Sequence, residues 1–289
     1  MPKDFVLGIS YADETVQSVV VKQGRNKSEL YLLTESVNQR GVGPWFLNPI
    51  STIETSVIEK ISRVSIAISD SAGFYLTFPV DTRLNRFDLK EQTNWELANF
   101  VDDFTPGGYS SQIRTLGNRP PTGVSEILAV TIKKTFLKEI RSALSERKLS
   151  FDLADTSFFG AQHALLSSHP DVASEKAALA GVARDVWTVG IIDKGKLVHF
   201  KRAIPETTGE AIRFTAEALT GAGVSKVFLY GVGLTPAILG ALQSTLGVGM
   251  IRLNPFRLME IKVPSELFAK FTGQEHRFAP SVGCALMKV

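Results

Sequence analysis

The 289-residue sequence predicts an α/β chain built as two related lobes, on three observations. In each half, strand-like runs joined by short polar turns give way to a helix, a strand and a further helix, so one order of elements occurs twice. Hydrophobic residues make up 44% of the chain, enough for a sizeable packed core. At roughly 100–200 residues per domain, the length accommodates two such units.

In the first half, Phe5–Ile9 and Val16–Val21 flank a polar turn, Ser10 to Thr15. Glu29–Leu33 follows Gly24-Arg25-Asn26, which completes the pattern of a three-stranded antiparallel opening. A helix is expected at Thr52–Ile61, then strands at Val64–Ile68 and Gly73–Phe78. Leu89, Leu97, Phe100, Val101 and Phe104 fall at helical spacing over Asp88–Phe104, and Pro106-Gly107-Gly108 ends that helix. Residues 105–124, rich in Gly and Pro, read as loop or weak edge structure. Ile127–Ile132 reads as a strand. Phe136, Leu137, Ile140 and Leu144 then form a stripe on a helix running to Arg147. A strand at Leu149–Leu153 leads into a helix at Ser157–Leu166, and His169-Pro170-Asp171 places the lobe boundary between 155 and 175.

The second half restarts with strands at Ala177–Ala183, Val186–Ile192 and Leu197–Ala203, the last two joined by the hairpin turn Asp193-Lys194-Gly195. A helix at Thr207–Leu219, capped by Gly221, precedes a strand at Val227–Tyr230, a helix from Thr235-Pro236 and a strand near Gly249–Leu253. Thr235 suits an N-cap and Pro236 the first helical position, where no N–H partner is lost. Val227–Ile251 carries no charge over 25 positions, long enough to span a bilayer. Its glycines, Pro236 and the absence of flanking basic clusters favour a buried strand–helix–strand unit instead.

Charge and cysteine use narrow the function classes. Thirty-two Lys+Arg against 29 Asp+Glu give +3, with the basic residues scattered, so there is no electrostatic case for nucleic-acid binding. The single Cys284 excludes an internal disulfide framework and points to a reducing compartment. The apolar run after Lys3 and Asp4 is too short for a secretory signal, so a cytoplasmic location is expected.

No catalytic residue and no metal ligand is assigned. His163, His169, His199 and His276 lack ligand spacing, and Ser110-Ser111 lacks a nucleophile elbow. Cys284 lies in an apolar run, as a small buried hydrophobe does. Asp102 and Asp103, adjacent on a helix, point about 100° apart and read as a solvated helix end. Gly231-Val232-Gly233 follows a strand, but Pro236 stands where a dinucleotide fingerprint has its third glycine. Trp95 points off the stripe through Leu97 and Phe104, so it is either a second packing contact or an exposed anchor for a partner.

Several segments together resemble one family. Leu7-Gly8-Ile9-Ser10-Tyr11-Ala12-Asp13-Glu14-Thr15-Val16 is similar to the first phosphate hairpin of actin-like ATPases, above all the PilM group of type IV pilus assembly. Gly195-Lys196-Leu197 and Arg202-Ala203-Ile204 resemble the exit of the second hairpin. Leu229-Tyr230-Gly231-Val232-Gly233, then Leu234, Pro236, Leu246-Gly247-Val248 and Asn254-Pro255-Phe256, resemble the adenosine loop and the strand after it. Phe278–Leu286 resembles the closing helix.

The resemblance implies an actin-like (ribonuclease H-like) two-lobe fold. The first lobe would be 1–155, with an inserted small α+β subdomain at about 79–150. The second would be 156–289, its C-terminal helix (about 275–289) returning to the first lobe. In this class an Asp at each hairpin organises hydrated Mg²⁺, and a Gly lets backbone N–H groups approach phosphates. At those positions this chain has Ser10 and Ala12, then Gly181 and Ala183, with Val186 at a hydroxyl position and Pro205-Glu206-Thr207-Thr208 in place of paired glycines.

These departures make the expected protein a pseudo-ATPase with no cofactor, in which Gly231, Gly233 and Thr235 form a relic adenosine loop. The resemblance further implies a scaffold at the inner membrane that takes a cytoplasmic tail peptide of a pilus or secretion platform protein in a groove formed partly by the subdomain. Self-association is a further expectation, and nucleic acid is not. The alternative is an active Mg-ATP-dependent ATPase or sugar-kinase-like phosphotransferase using displaced carboxylates such as Asp13, Asp185 or Asp193. A third reading is a secretion-system cytoplasmic domain normally fused to a transmembrane helix.

Overall fold

The computed structural model describes residues 5–24, 27–37, 45–47, 50, 53–117 and 123–287. An antiparallel meander opens it: β1 (Phe5–Ala12), β2 (Thr15–Lys22) and β3 (Glu29–Val37). Both faces of β1 are buried: Leu7 and Ile9 pack to one side, Val6 to the other. That burial explains the near-continuous apolar run. The short α1 (Thr55–Ile58) precedes β4 (Ile61–Ile68), parallel to β1. Of the helix expected at Thr52–Ile61, Thr52 lies outside the described residues and Ile61 already belongs to β4.

A small unit interrupts the lobe: β5 (Phe74–Asp81), α2 (Arg86–Phe100), β6 (Tyr109–Thr115) and β7 (Val124–Lys133), in sheet order β5-β7-β6. Asn85 caps α2, accepting from the N–H groups of Phe87 and Asp88. Residues 109–115, expected as loop or weak edge structure, form a full edge strand. Tyr-Ser-Ser-Gln-Ile-Arg-Thr has little apolar content, and its pairing with β7 comes from tertiary context. α3 (Lys134–Glu146) and β8 (Phe151–Thr156) then return, with Ile140 and Leu144 of α3 buried among Leu7, Ile9 and Ile66. Residues 134–150 thus pack as part of the first lobe, and the three-stranded sheet spans 74–133 rather than 79–150.

After α4 (Ser157–Ser168) the second lobe repeats the plan. It runs β9 (Lys176–Val182), β10 (Trp187–Asp193), β11 (Lys196–Ala203), α5 (Thr208–Leu219), β12 (Lys226–Tyr230), α6 (Pro236–Leu246) and β13 (Gly249–Arg252). With β14 (Glu260–Ile261) at one edge, the larger sheets are ordered β14-β3-β2-β1-β4-β8 and β11-β10-β9-β12-β13. Setting β14 aside, each places its third, second, first, fourth and fifth strand side by side. The chain closes through α7 (Ser265–Ala269), a 3-10 turn at Glu275–Phe278 and α8 (Ala279–Leu286). β14 and α7 have no counterpart in the sequence reading, being too short to show a period.

Two helices lie between the sheets. α8 packs on β1, where a Cβ at Gly8 would collide with the Ser281 carbonyl. α4 packs on β10, where a Cβ at Gly190 would collide with the Phe158 ring. The helices cross at Gly160 and Gly283, so closely that a Cβ on Gly283 would overlap the Gly160 carbonyl. Phe158 is fully buried there, and burying such a side chain stabilises by roughly 1.5–3 kcal/mol.

Candidate functional site: the cleft between the hairpins

The β1–β2 turn of the first lobe faces the β9–β10 turn of the second. Ser10, Ala12, Gly181, Ala183 and Val186, singled out from the sequence, line one cavity with Asp70, Tyr230 and Arg277. Its volume is about 30 Å³, room for one water, where small-molecule pockets take roughly 300–1,000 Å³.

Asp13 holds the two turns together. It sits in a left-handed turn with Glu14 (φ 50° and 63°), and both of its carboxylate oxygens lie 2.7 Å from the Arg184 backbone nitrogen. Burial raises its pKa, and the Arg184 N–H opposes that rise. A backbone donor at the second hairpin is therefore taken by the chain's own anion. Asp185 is exposed beside it. Asp193 stands at the opposite end of β10 from Trp187, paired in register with Lys196, and does not reach this cleft.

Asp70, just past β4, is the group the sequence reading missed. It is 4% exposed and joins all three units. Tyr75 Oη of β5 donates to Oδ1 at 2.6 Å, and Phe158 N of α4 donates to the same oxygen at 3.1 Å. Tyr230 Oη of β12 donates to Oδ2 at 3.4 Å. Arg202 Nε of β11 donates to the Asp70 carbonyl at 2.9 Å. The carboxylate thereby caps the N-terminus of α4 from another element. Burial pushes its pKa up to about 6, against the pull of Tyr75 and the Phe158 N–H. One signal was available: an acidic residue just beyond the C-terminal end of a buried parallel strand, where sites in α/β folds gather.

A second string of polar groups crosses the floor. Ser10 Oγ donates to Gln17 Oε1 at 3.3 Å, Gln17 Nε2 donates to Glu35 Oε2 at 3.2 Å, and Arg277 pairs with Glu35 at 3.0 Å. Gly231 (φ 111°) donates its N–H to the His276 carbonyl at 3.3 Å, and a Cβ there would strike the Val182 carbonyl. Gly233 N–H donates to that Val182 carbonyl at 3.0 Å. Thr235 caps α6, its hydroxyl accepting from Ile238 N–H at 3.2 Å. All three residues are thus engaged in backbone packing or capping. A larger cavity, about 370 Å³, opens beside them between Arg184, Trp187, Thr207, Gly233 and Ile238.

A narrow groove of about 30 Å³ separates the small sheet from the first lobe. Ser110 and Gln112 of β6, Val130 and Ile132 of β7, Leu137 of α3 and Asp155 of β8 line it. At its edge Arg114 pairs with Asp155 at 2.7 Å and lies over the Phe159 ring, 3.8 Å from its centroid. β8 ends its sheet and β6 ends its own, so both have outer edges without a strand partner among the described residues. Elsewhere, burial lowers the pKa of all four histidines, His276 to about 4. Cys284 is fully buried beside Gly160, with its thiol pKa raised by burial. Among the described residues, no helix is long and apolar enough to cross a membrane.

No protein-family model matches this chain, and no curated protein sequence matches it. Solved structures do. The PilM-PilN type IV pilus biogenesis complex is similar over 99% of this chain and 98% of that one, at 15% identity and a TM-score of 0.76. A Bacteroides thetaiotaomicron protein of actin-like ATPase fold and unknown function matches over 86% of this chain and 91% of that one, at 14% identity and TM-score 0.54. The cytoplasmic domain of EpsL, an inner-membrane component of the type II secretion system of Vibrio cholerae, matches over 94% of each chain at 10% identity and TM-score 0.50. The fold is therefore actin-like: two α/β lobes of one strand order, with a small unit inserted in the first.

Proposed function

We propose that this chain is an actin-like scaffold of a type IV pilus or related secretion assembly, working without nucleotide hydrolysis on the cytoplasmic side of the inner membrane. Its partner is an inner-membrane platform protein, held by a short cytoplasmic tail. The observation that carries this reading is the Asp13 clasp: the carboxylate faces the Arg184 N–H where an actin-like ATPase would need a phosphate. In this reading the residues between the hairpins do not suit a Mg-nucleotide. The space is about 30 Å³, Ser10 and Gly181 stand where carboxylates would hold the metal, and Gly231 and Gly233 lie against Val182 as a relic adenosine loop.

The assembly half of the reading draws on the neighbours, one a pilus biogenesis complex and one the cytoplasmic domain of a secretion-system membrane component. The groove below β6 is as small as the cleft, about 30 Å³, so in this reading an extended segment adds along the open strand edges and only a side-chain tip enters the groove. Open strand edges supply main-chain donors and acceptors, and Val130, Ile132 and Leu137 supply an apolar floor.

Titration of the purified chain with the N-terminal tails of inner-membrane platform proteins tests this. Saturable binding that weakens at least tenfold in Ser110→Trp, which fills the groove from an exposed position, is the expected result. Binding by none of the tails, or binding indifferent to Ser110→Trp, overturns it. A second reading, an ATPase or sugar-kinase-like phosphotransferase, has one observation in its favour. The 370 Å³ cavity beside Gly233 and Thr207 is large enough for a nucleoside.

A further inference from the structure

The inserted unit presents a helix face that nothing among the described residues covers. Leu97 and Thr93 turn α2 inward, onto Phe78, Val80 and Ile127. Trp95 points the other way and is 65% exposed, with Phe87 70% exposed on the preceding turns. At 100° per residue, Asp88 lies about 20° and Glu91 about 40° from Trp95, whereas Lys90 lies about 140° and Arg86 about 180° away. The outward face is thus aromatic and acidic, with the helix's two cations on the other side. Asp88 and Glu91 have no cationic partner among the described residues; Asp88 accepts from Asn85 Nδ2 and Glu91 from Asn94 Nδ2.

The complementary face is on the same chain. Around α3, Lys133, Lys138, Arg141, Arg147 and Lys148 are all exposed. None of these five forms an ion pair among the described residues. Lys138 and Arg141 share one side of the helix, about 60° apart, and the Arg141 guanidinium lies over Phe151 at 5.8 Å. With a net charge of only +3, two opposite patches without ion pairs among the described residues are not explained by overall charge.

We propose that the Trp95 face of α2 docks onto the Lys138–Arg141 face of α3 in a second copy of this chain. Trp95 covers the cationic side chains, as aromatic rings do, and Glu91 pairs with the ammonium groups around it. Because the two patches differ, the contact is head-to-tail, and each added copy leaves one free patch of each kind. Two helix faces bury less than a stable dimer interface, so the association is weak and salt-sensitive.

Sedimentation velocity with paired variants tests this. Wild type is expected to form concentration-dependent species larger than a dimer at roughly 200 µM. Glu91→Lys combined with Trp95→Ala, and separately Lys138→Glu combined with Arg141→Glu, are each expected to remain monomeric, with affinity lowered at least tenfold. An equimolar mixture of the two double variants retains one intact contact, so it is expected to give dimers and nothing larger. Unchanged far-UV circular dichroism and Tm identify the variants as folded. A wild type that stays monomeric, variants that associate like wild type, or a mixture that stays monomeric each overturns the proposal.

Discussion

The cleft and the outward faces of α2 and α3 treat polar groups in opposite ways. Between the hairpins, charges answer one another inside the chain: Asp13 meets the Arg184 N–H, Asp70 meets two tyrosines and a helix N-terminus, and Glu35 meets Arg277. On α2 and α3, acids, cations and an exposed Trp95 face outward without partners of opposite charge among the described residues. The space between the hairpins is lined by side chains bonded to one another, and the exposed charges lie on α2 of the inserted unit and on α3 of the first lobe. The lesson is that a shared fold does not carry a site with it: what the space between the hairpins can hold is decided by a handful of side chains.

Substitutions separate the two regions by size of effect. Gly283→Val pushes a side chain into the Gly160 carbonyl and forces α4 and α8 apart; a loss of more than about 4 kcal/mol is expected in denaturant unfolding. A stable Gly283→Val protein would mean that the lobes are not locked at this crossing.

Next in size is Asp70. Its folded pKa of about 6 lies above the unfolded 3.8, so its contribution is complete below pH 3.8 and is lost as pH rises through about 6. The groups facing it are Tyr75, Tyr230 and Arg202. Asn at position 70 keeps Oδ1 as an acceptor and offers an amide N–H to Tyr230 Oη. Between about pH 4 and pH 7, Asp70→Asn should gain about 3 kcal/mol relative to wild type. His276 has the opposite sign: depressed from 6.5 to about 4, it stabilises above pH 6.5 and loses that contribution as pH falls. Only the difference between variant and wild type therefore isolates Asp70. A pH-independent difference would contradict its buried setting.

Asp13→Ala leaves the Arg184 N–H without its acceptor and is expected to cost about 1–2 kcal/mol, measured by urea unfolding. No loss would mean that the clasp does not hold the hairpins together. Smallest of all, Trp95→Ala should change monomer stability by less than about 0.5 kcal/mol, since the ring packs on little of its own chain. A large loss would make Trp95 a packing residue and remove the contrast between the two regions.

Much of the fold was legible because its strands carry apolar runs interrupted by few polar residues, as in β9 and β10, bounded by turns such as Asp193-Lys194-Gly195. Ser10, Ala12, Gly181 and Ala183 were legible as one site only through the resemblance of the two hairpins to those of actin-like ATPases; all four line one cavity. Asp70 was not, because its meaning comes from β5, α4, β11 and β12 converging on it, none of which is near it in both sequence and pattern. The edge strand β6 was hidden for a related reason: its polar residues pair by register with β7, and no periodicity of its own announces a strand. The face of α2 was half legible. Helical spacing put Trp95 off the apolar stripe, but only the structure shows that it is 65% exposed among the described residues.

The most direct test of the closed cleft is a thermal shift of the wild-type chain with Mg-ATP. A ligand at 100 times its Kd adds about 2.7 kcal/mol to the folded state, a rise of several degrees in a chain of this size. With Asp13 seated on the Arg184 N–H, an unchanged Tm up to millimolar Mg-ATP is expected. A saturable rise of several degrees that requires Mg²⁺ would contradict it and restore the ATPase reading.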